Sequence, residues 1–185
     1  MASTGKGSKV KGSSYENKVA KLLGDWWGGK FSRVPASGGL QWGADQRVAG
    51  DIVPPADVYF PFVVECKKRE EWTMEHVLLD IGDPKDWWKQ VVMDARRIKK
   101  VPLLIFSRNR AKDFVMLPHN HELYDALFMI NKDVMRTPVS IANIRGEIQT
   151  FEVNITTFDS LSQLSPDILK RYADIPWDPY AQLNF

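Results

Sequence analysis

Three side chains stand out for the chemistry they could do together: Asp51, Glu65 and Lys67. Residues 58–67 read as a strand, and strand side chains alternate faces with a period of two. Phe60, Phe62, Val64 and Cys66 then share one wholly apolar face that meets the core, while Val63, Glu65 and Lys67 share the other. Glu65 and Lys67 therefore point the same way, about 6–7 Å apart along the strand. Asp51 lies 65 − 51 = 14 residues earlier, on a preceding strand expected over residues 46–53. Two carboxylates meeting from adjacent strands suit a hard divalent cation. With an ammonium beside them they could serve phosphodiester hydrolysis, which requires a nucleophilic water, charge stabilisation and help for the leaving oxygen. Asp45 and Asp57 are rival ligands, although the PPAD stretch around Asp57 reads as a turn. A surface ion pair would also explain Glu65 and Lys67, but the strand is too apolar for a comfortable exposed edge.

The elements that must position these groups follow from periodicity and capping. Ser13 and Glu16 match an S-x-x-E capping box, which starts a helix with Val19, Leu22 and Leu23 on its apolar face. A short strand is expected at 30–34 and a loop of glycines and small residues at 35–43. After the strand at 58–67, residues 73–80 form a short helix. A longer one opens with Asp83 as N-cap and Pro84 in its first turn. Trp87, Val91, Ala95 and Ile98 make its buried stripe. Strands follow at 101–107 and 114–117, a helix at 123–130, a strand at 150–155 and a helix at 165–172. The order defines an α/β fold, a mixed central sheet flanked by helices. Residues 1–12 read as a flexible basic tail and 13–185 as one domain, with a core at about 13–117 and an extension at 118–185.

Composition narrows the class. The chain has 185 residues, 44% of them hydrophobic, enough for a sizeable core. Cys66 is the single cysteine, so an internal disulfide is impossible and a reducing compartment is expected. No run approaches the roughly 20 apolar residues of a membrane span, and residues 1–14 carry no apolar signal core. A cytoplasmic protein is expected. Net charge is only +2, but residues 1–33 hold seven lysines and arginines against two acids, 7 − 2 = +5. Lys9 and Lys11 in that stretch could sit on phosphates and release counterions, or belong to a solvated tail. Lys89, Arg96, Arg97, Lys99, Lys100, Arg108 and Arg110 form a second basic group open to the same two readings. His119 and His121 have no firm third partner for a metal and read as loop residues. The pairs Trp26-Trp27 and Trp87-Trp88 read as core packing or a dimer contact rather than base stacking.

Asp51 in AGDIV, followed by Glu65-Cys66-Lys67 in FVVECKK, resembles the PD-(D/E)XK nuclease motif. More narrowly, the chain is similar to the Holliday junction resolvases of archaeal type and their bacteriophage relatives. Glu16 in GSSYENKVAKLL, the loop SRVPASGG, then GD, then ECK carry the likeness in that order, over roughly residues 12–107. The resemblance implies a restriction-endonuclease-like core and a homodimer that makes two symmetric nicks in a four-way DNA junction. It implies Mg²⁺ as the cofactor, with Mn²⁺ able to substitute, held by Asp51, Glu65 and the Cys66 backbone carbonyl. Lys67 would position the attacking water or stabilise charge, and Glu16 would reach in from the first helix, unless it only caps that helix. Ser37 would lie near the scissile phosphate. Gln90 sits where relatives carry a polar auxiliary residue, or is a plain surface residue. Lys68 is a further DNA-contact candidate, although strand alternation turns it away from Lys67. Two features depart from the pattern: Gly50 replaces the proline before the first Asp, and the connection 68–84 is long. Restriction- or repair-type substrates, or a non-catalytic DNA-binding module on this fold, are the alternatives.

Overall fold

The computed structural model describes residues 4–35 and 48–183, with side chains over 13–35 and 48–182. The chain runs α1 (Thr4–Trp27), β1 (Ser32–Arg33), β2 (Ile52–Val53), β3 (Phe62–Lys68), α2 (Met74–Leu78), α3 (Asp83–Ile98) and β4 (Val101–Ser107). It continues through β5 (Phe114–Pro118), α4 (His121–Asn131), β6 (Met135–Ala142), β7 (Ile148–Thr157), α5 (Phe158–Leu161) and α6 (Pro166–Ala173) to a short 3₁₀ turn at Ala181–Leu183. Five strands form one sheet in the order β3-β4-β5-β7-β6, parallel between β3 and β4 and antiparallel elsewhere. β1 and β2 pair separately beside it. The result is the mixed, helix-flanked sheet expected of a restriction-endonuclease-like core.

Strand alternation divides the core into two clusters, one on each face of the sheet. Phe60, Phe62, Val64 and Cys66 join Leu103 and Ile105 of β4 on the face covered by Tyr15, Val19, Leu23 and Trp27 of α1. Val63 joins Leu104 and Phe106 on the face covered by Trp87, Trp88, Val91, Val92 and Ala95 of α3. The sheet register sets Glu65 beside Leu104 and Lys67 beside Phe106, so both belong to the α3 face. β4 is buried along its whole length, as a parallel strand covered on both sides should be. The tryptophans serve core packing: Trp87 and Trp88 are both buried, although one ring of such a pair would ordinarily sit near the rim, and Trp27 stacks edge-on against Phe60 and Phe62.

Several boundaries differ from the sequence reading, each for a physical reason. α1 begins at Thr4, so residues 4–12 are helical rather than a flexible tail, and Ser13 lies inside the helix instead of capping it. Once the packed turns around Tyr15 and Val19 exist, each added residue needs only propagation, not a new nucleus. α3 takes Gly82 as its N-cap, one residue before Asp83, and Gly82 has a φ of +71° that suits glycine. β6 was not visible in the sequence pattern, because Pro138 reads against a strand. It is tolerated since β6 is the sheet's outer edge, where a missing N–H breaks no ladder bond. Two residues on, the Ser140 N–H on that open side is taken by the Asp80 carboxylate at 2.9 Å. β6 and β7 thus make the C-terminal third part of the same sheet. Among the described residues no helix is long and apolar enough to cross a membrane.

Candidate active site

The site forms where β2 meets the outer edge of β3. Gly50 bridges to Val64, and the Asp51 N–H donates to the Val64 carbonyl at 2.8 Å. On the other side the Asp51 carbonyl accepts from the Val34 N–H, also at 2.8 Å. The main chain of Asp51 is therefore held between the β1 strand end and β3. Gly50 has a φ of +71°, and any Cβ there would collide with the Val64 carbonyl oxygen and with the Val63 side chain. Glycine at this position is what allows the approach.

The Asp51 side chain accepts a hydrogen bond from the Cys66 N–H at 2.8 Å. N–H and C=O groups of residues two apart on a strand point to the same edge. The Val64 carbonyl and the Cys66 N–H both face Asp51, so the Cys66 carbonyl faces that edge as well. Glu65 emerges beside it, 1% exposed, and neither of its oxygens has a hydrogen-bond partner. Lys67 Nζ lies 2.5 Å from Glu65 Oε1 as an ion pair, the one cation beside two carboxylates. An ionised carboxylate left without donors in a buried place is costly unless something else compensates it.

The electrostatics carry the same signature. Burial and then the Asp51 charge push the Glu65 carboxyl up to about 7, with Lys67 only partly opposing them. Asp51 is also raised, mainly by burial, against the lowering effects of the Cys66 N–H, Lys67 and the adjacent Glu65 carboxyl. Glu16 projects from the middle of α1, not from its first turn, so the capping explanation for it fails. Its Oε2 lies 3.6 Å from the Arg33 guanidinium. Its carboxyl is raised by burial and by Asp51, and lowered by Arg33 and Lys67. α1 covers the opposite face of the sheet, so Glu16 approaches this edge from the far side.

Asp51, Glu65 and Lys67 thus converge, with Glu16 at their margin. Among the described residues no three His, Cys, Asp or Glu side chains close on one point as a finished metal cage. The donor set that does exist is two carboxylates and one main-chain carbonyl, all oxygen, with two carboxylate oxygens unpartnered. That set suits a hard cation such as Mg²⁺, which keeps several waters when bound. Two carboxylates and one ammonium also leave the cluster one negative charge in excess when ionised.

The remaining sequence candidates divide. Gln90 is exposed on α3 and makes no hydrogen bond among the described residues. Lys68 ends β3 on the α1 face, with Nζ 6.0 Å from the Tyr15 ring centroid, away from Glu65 and Lys67. Ser37 and the side chains of Lys9 and Lys11 lie outside the described residues. Arg96 of the second basic group is committed to Asp178 and Gln149 instead of facing solvent. His119 bonds to Asn154 and His121 faces Asp125, with no shared partner. Cys66 packs in the core, where burial raises its thiol, so it is no nucleophile.

Sequence reasoning missed Asp94. It sits one turn beyond Gln90 on α3, and its charge raises both Asp51 and Glu65. Arg97 Nη2 lies 3.3 Å from Asp94 Oδ1 and 3.4 Å from the Val48 carbonyl, three residues before Asp51. The i, i+4 spacing from Gln90 was the available signal.

A site of this kind on this sheet defines a class, the PD-(D/E)XK nucleases, which cut nucleic acid with divalent metals. The family model described as "phage putative PDDEXK endonuclease" matches residues 7–171, and the chain belongs to that family. Searches of curated proteins and of solved structures return no match.

Proposed function

We propose that this chain is a Mg²⁺-dependent endodeoxyribonuclease whose catalytic groups are Asp51, Glu65 and Lys67, with Glu16 assisting, and whose substrate is a four-way DNA junction. One observation carries the site: Glu65 is buried beside Asp51 with both oxygens unpartnered, at a sheet edge that the Cys66 carbonyl also faces. Asp51, Glu65 and that carbonyl would hold the ion. A divalent cation there supplies Lewis acidity and positive charge opposite the phosphate. Lys67, partly exposed at the rim, holds an incoming water near the phosphorus and offsets negative charge as it develops. Glu16, held by Arg33, orders water on the α1 side.

The junction reading is supported by the order of motifs shared with archaeal-type resolvases. A homodimer follows from it, since two symmetric nicks match a two-fold protein to a nearly two-fold substrate. Mn²⁺ substitutes for Mg²⁺, the products carry 5′-phosphate and 3′-hydroxyl ends, and the enzyme works in the host cytoplasm. The test incubates the protein with Mg²⁺ and either a synthetic four-way junction or a linear duplex of the same sequence. Paired nicks in the junction alone are expected. Equal cutting of the linear duplex would replace the junction reading with a restriction- or repair-type one. No cutting of any DNA, with Asp51→Asn indistinguishable from the parent in metal binding, would remove the site assignment.

A further inference from the structure

Between α1 and β1 runs an open groove lined by Asn17, Lys21, Asp25, Lys30, Ser32 and Arg33, floored by Ala20, Phe31 and the main chain of Gly24 and Gly29. It begins at the candidate active site, because Arg33 both lines it and holds Glu16 at 3.6 Å. Asn17, Ala20, Lys21 and Gly24 recur at helical spacing, so one face of α1 forms its whole length. From Glu16 to Gly24 that face extends about 12 Å at 1.5 Å per residue, roughly three base steps at 3.4 Å each.

The lining has the composition of a phosphate track. Three cations face one acid, and the acid, Asp25, is already paired with Lys21 at 2.8 Å. Lys30 is exposed and makes no ion pair among the described residues, while Asn17 and Ser32 are exposed with uncommitted side chains. Cations with small neutral donors are the set that contacts DNA backbone without reading sequence. The one aromatic in the lining, Phe31, is buried in the core and offers no ring for a base to stack on. An acidic protein surface would need the same charge but not this continuity with a phosphodiester-cutting centre.

We propose that this groove carries the backbone of the cleaved DNA strand on one side of the scissile phosphate, with Lys30, Asn17 and Ser32 as phosphate contacts. The inference rests on the active-site reading above and adds the path of the strand to it.

The test measures affinity for two DNA duplexes of unrelated sequence by fluorescence anisotropy, in Ca²⁺ at several salt concentrations. Lys30→Ala should weaken binding to both duplexes equally and reduce the slope of log K against log salt by about 0.9, one phosphate contact. Lys30→Glu should weaken it more, and Lys30→Arg should restore the parent slope. Lys132→Ala, outside the groove, serves as the control and should leave the slope unchanged. The parental slope in both Lys30→Ala and Lys30→Glu overturns the groove, whatever the cleavage result. So does a change in oligomeric mass by light scattering in Lys30→Glu, which would make the groove a contact between copies. Failure of the parent to cut DNA while the slope still falls would strike the active-site reading and leave the groove standing.

Discussion

Two clusters of charge are buried against the same helix, α3, and they are built in opposite ways. On one side Arg96 donates to both oxygens of Asp178, at 2.8 and 3.0 Å, and to Gln149 Oε1 at 2.8 Å. On the other, Glu65 has a second carboxylate next to it and a single lysine, 2.5 Å away, as the cation for both. The Arg96 cluster satisfies its charges internally and ties the C-terminal segment to α3. The Glu65 cluster sets two buried carboxylates against one lysine, the imbalance that the proposed metal site would use.

The sharpest way to break this comparison is to remove one cation from each cluster. Lys67→Ala should reduce cleavage by at least about 10³-fold, roughly 4 kcal/mol of barrier, while the thermal midpoint at pH 6 changes little. Arg96→Ala should do the reverse. It strands Asp178 in a half-buried place, costing about 3 kcal/mol of stability, and leaves the cleavage rate per folded molecule unchanged. Denaturant unfolding and single-turnover cleavage on the same preparations read both quantities. A stable Arg96→Ala, or an unstable but fully active Lys67→Ala, would mean that the two clusters have been assigned the wrong way round.

The pH dependence of stability sharpens the same contrast. Glu65 is held up to about 7 in the folded protein against about 4.3 in an unfolded chain. Between those values the folded state keeps a proton that the unfolded chain has released. The metal-free protein therefore loses stability as pH rises through that window and levels off above it. Asp51 and Glu16, also raised, act in the same sense. Glu65→Gln should flatten the profile and stabilise the metal-free protein at pH 8 by about 1–3 kcal/mol. Mg²⁺ should raise the parent's thermal midpoint at pH 8 by mass action and have no such effect on the variant. A parent profile that rises from pH 5 to 8 without metal would contradict the uncompensated character of Glu65.

How much of this was visible beforehand depended on whether the signal was local. The alternation in FVVECK put Glu65 and Lys67 on the face of Val63, opposite Phe62, Val64 and Cys66, and the structure keeps that division. The apolar run 101–107 was equally clear, and β4 occupies those residues. The extent of α1 was not visible, because tertiary packing from Tyr15 onward carries a helix into residues of weak propensity. β6 was hidden by Pro138, harmless only at an edge position that a single sequence does not disclose. Gly50 read as a departure from a motif, and only the contact with Val64 explains it. Arg33 was invisible as a neighbour of the site because its proximity comes from packing β1 against it, and for Asp94 the i, i+4 spacing from Gln90 was the single hint.

Asp94 supplies the finest test. It lies close enough to raise both Asp51 and Glu65, so its charge favours any cation at that position, proton or metal. A divalent ion feels that field twice as strongly as a proton does. Above pH 8 Glu65 is mostly ionised and protons no longer compete, so neutralising Asp94 should weaken metal binding. At about 10 Å and a water-like dielectric near 80, a unit charge and a divalent ion interact by about 0.8 kcal/mol, roughly fourfold in Kd. Arg97, 3.3 Å from Asp94, damps that field, so Arg97→Gln should shift metal affinity the opposite way. Calorimetric titration of Mn²⁺ into Asp94→Asn and Arg97→Gln at pH 8.5 reads the two signs. Shifts in the same direction would mean that the pair acts through the Val48 carbonyl and the placement of Asp51, rather than through its charge.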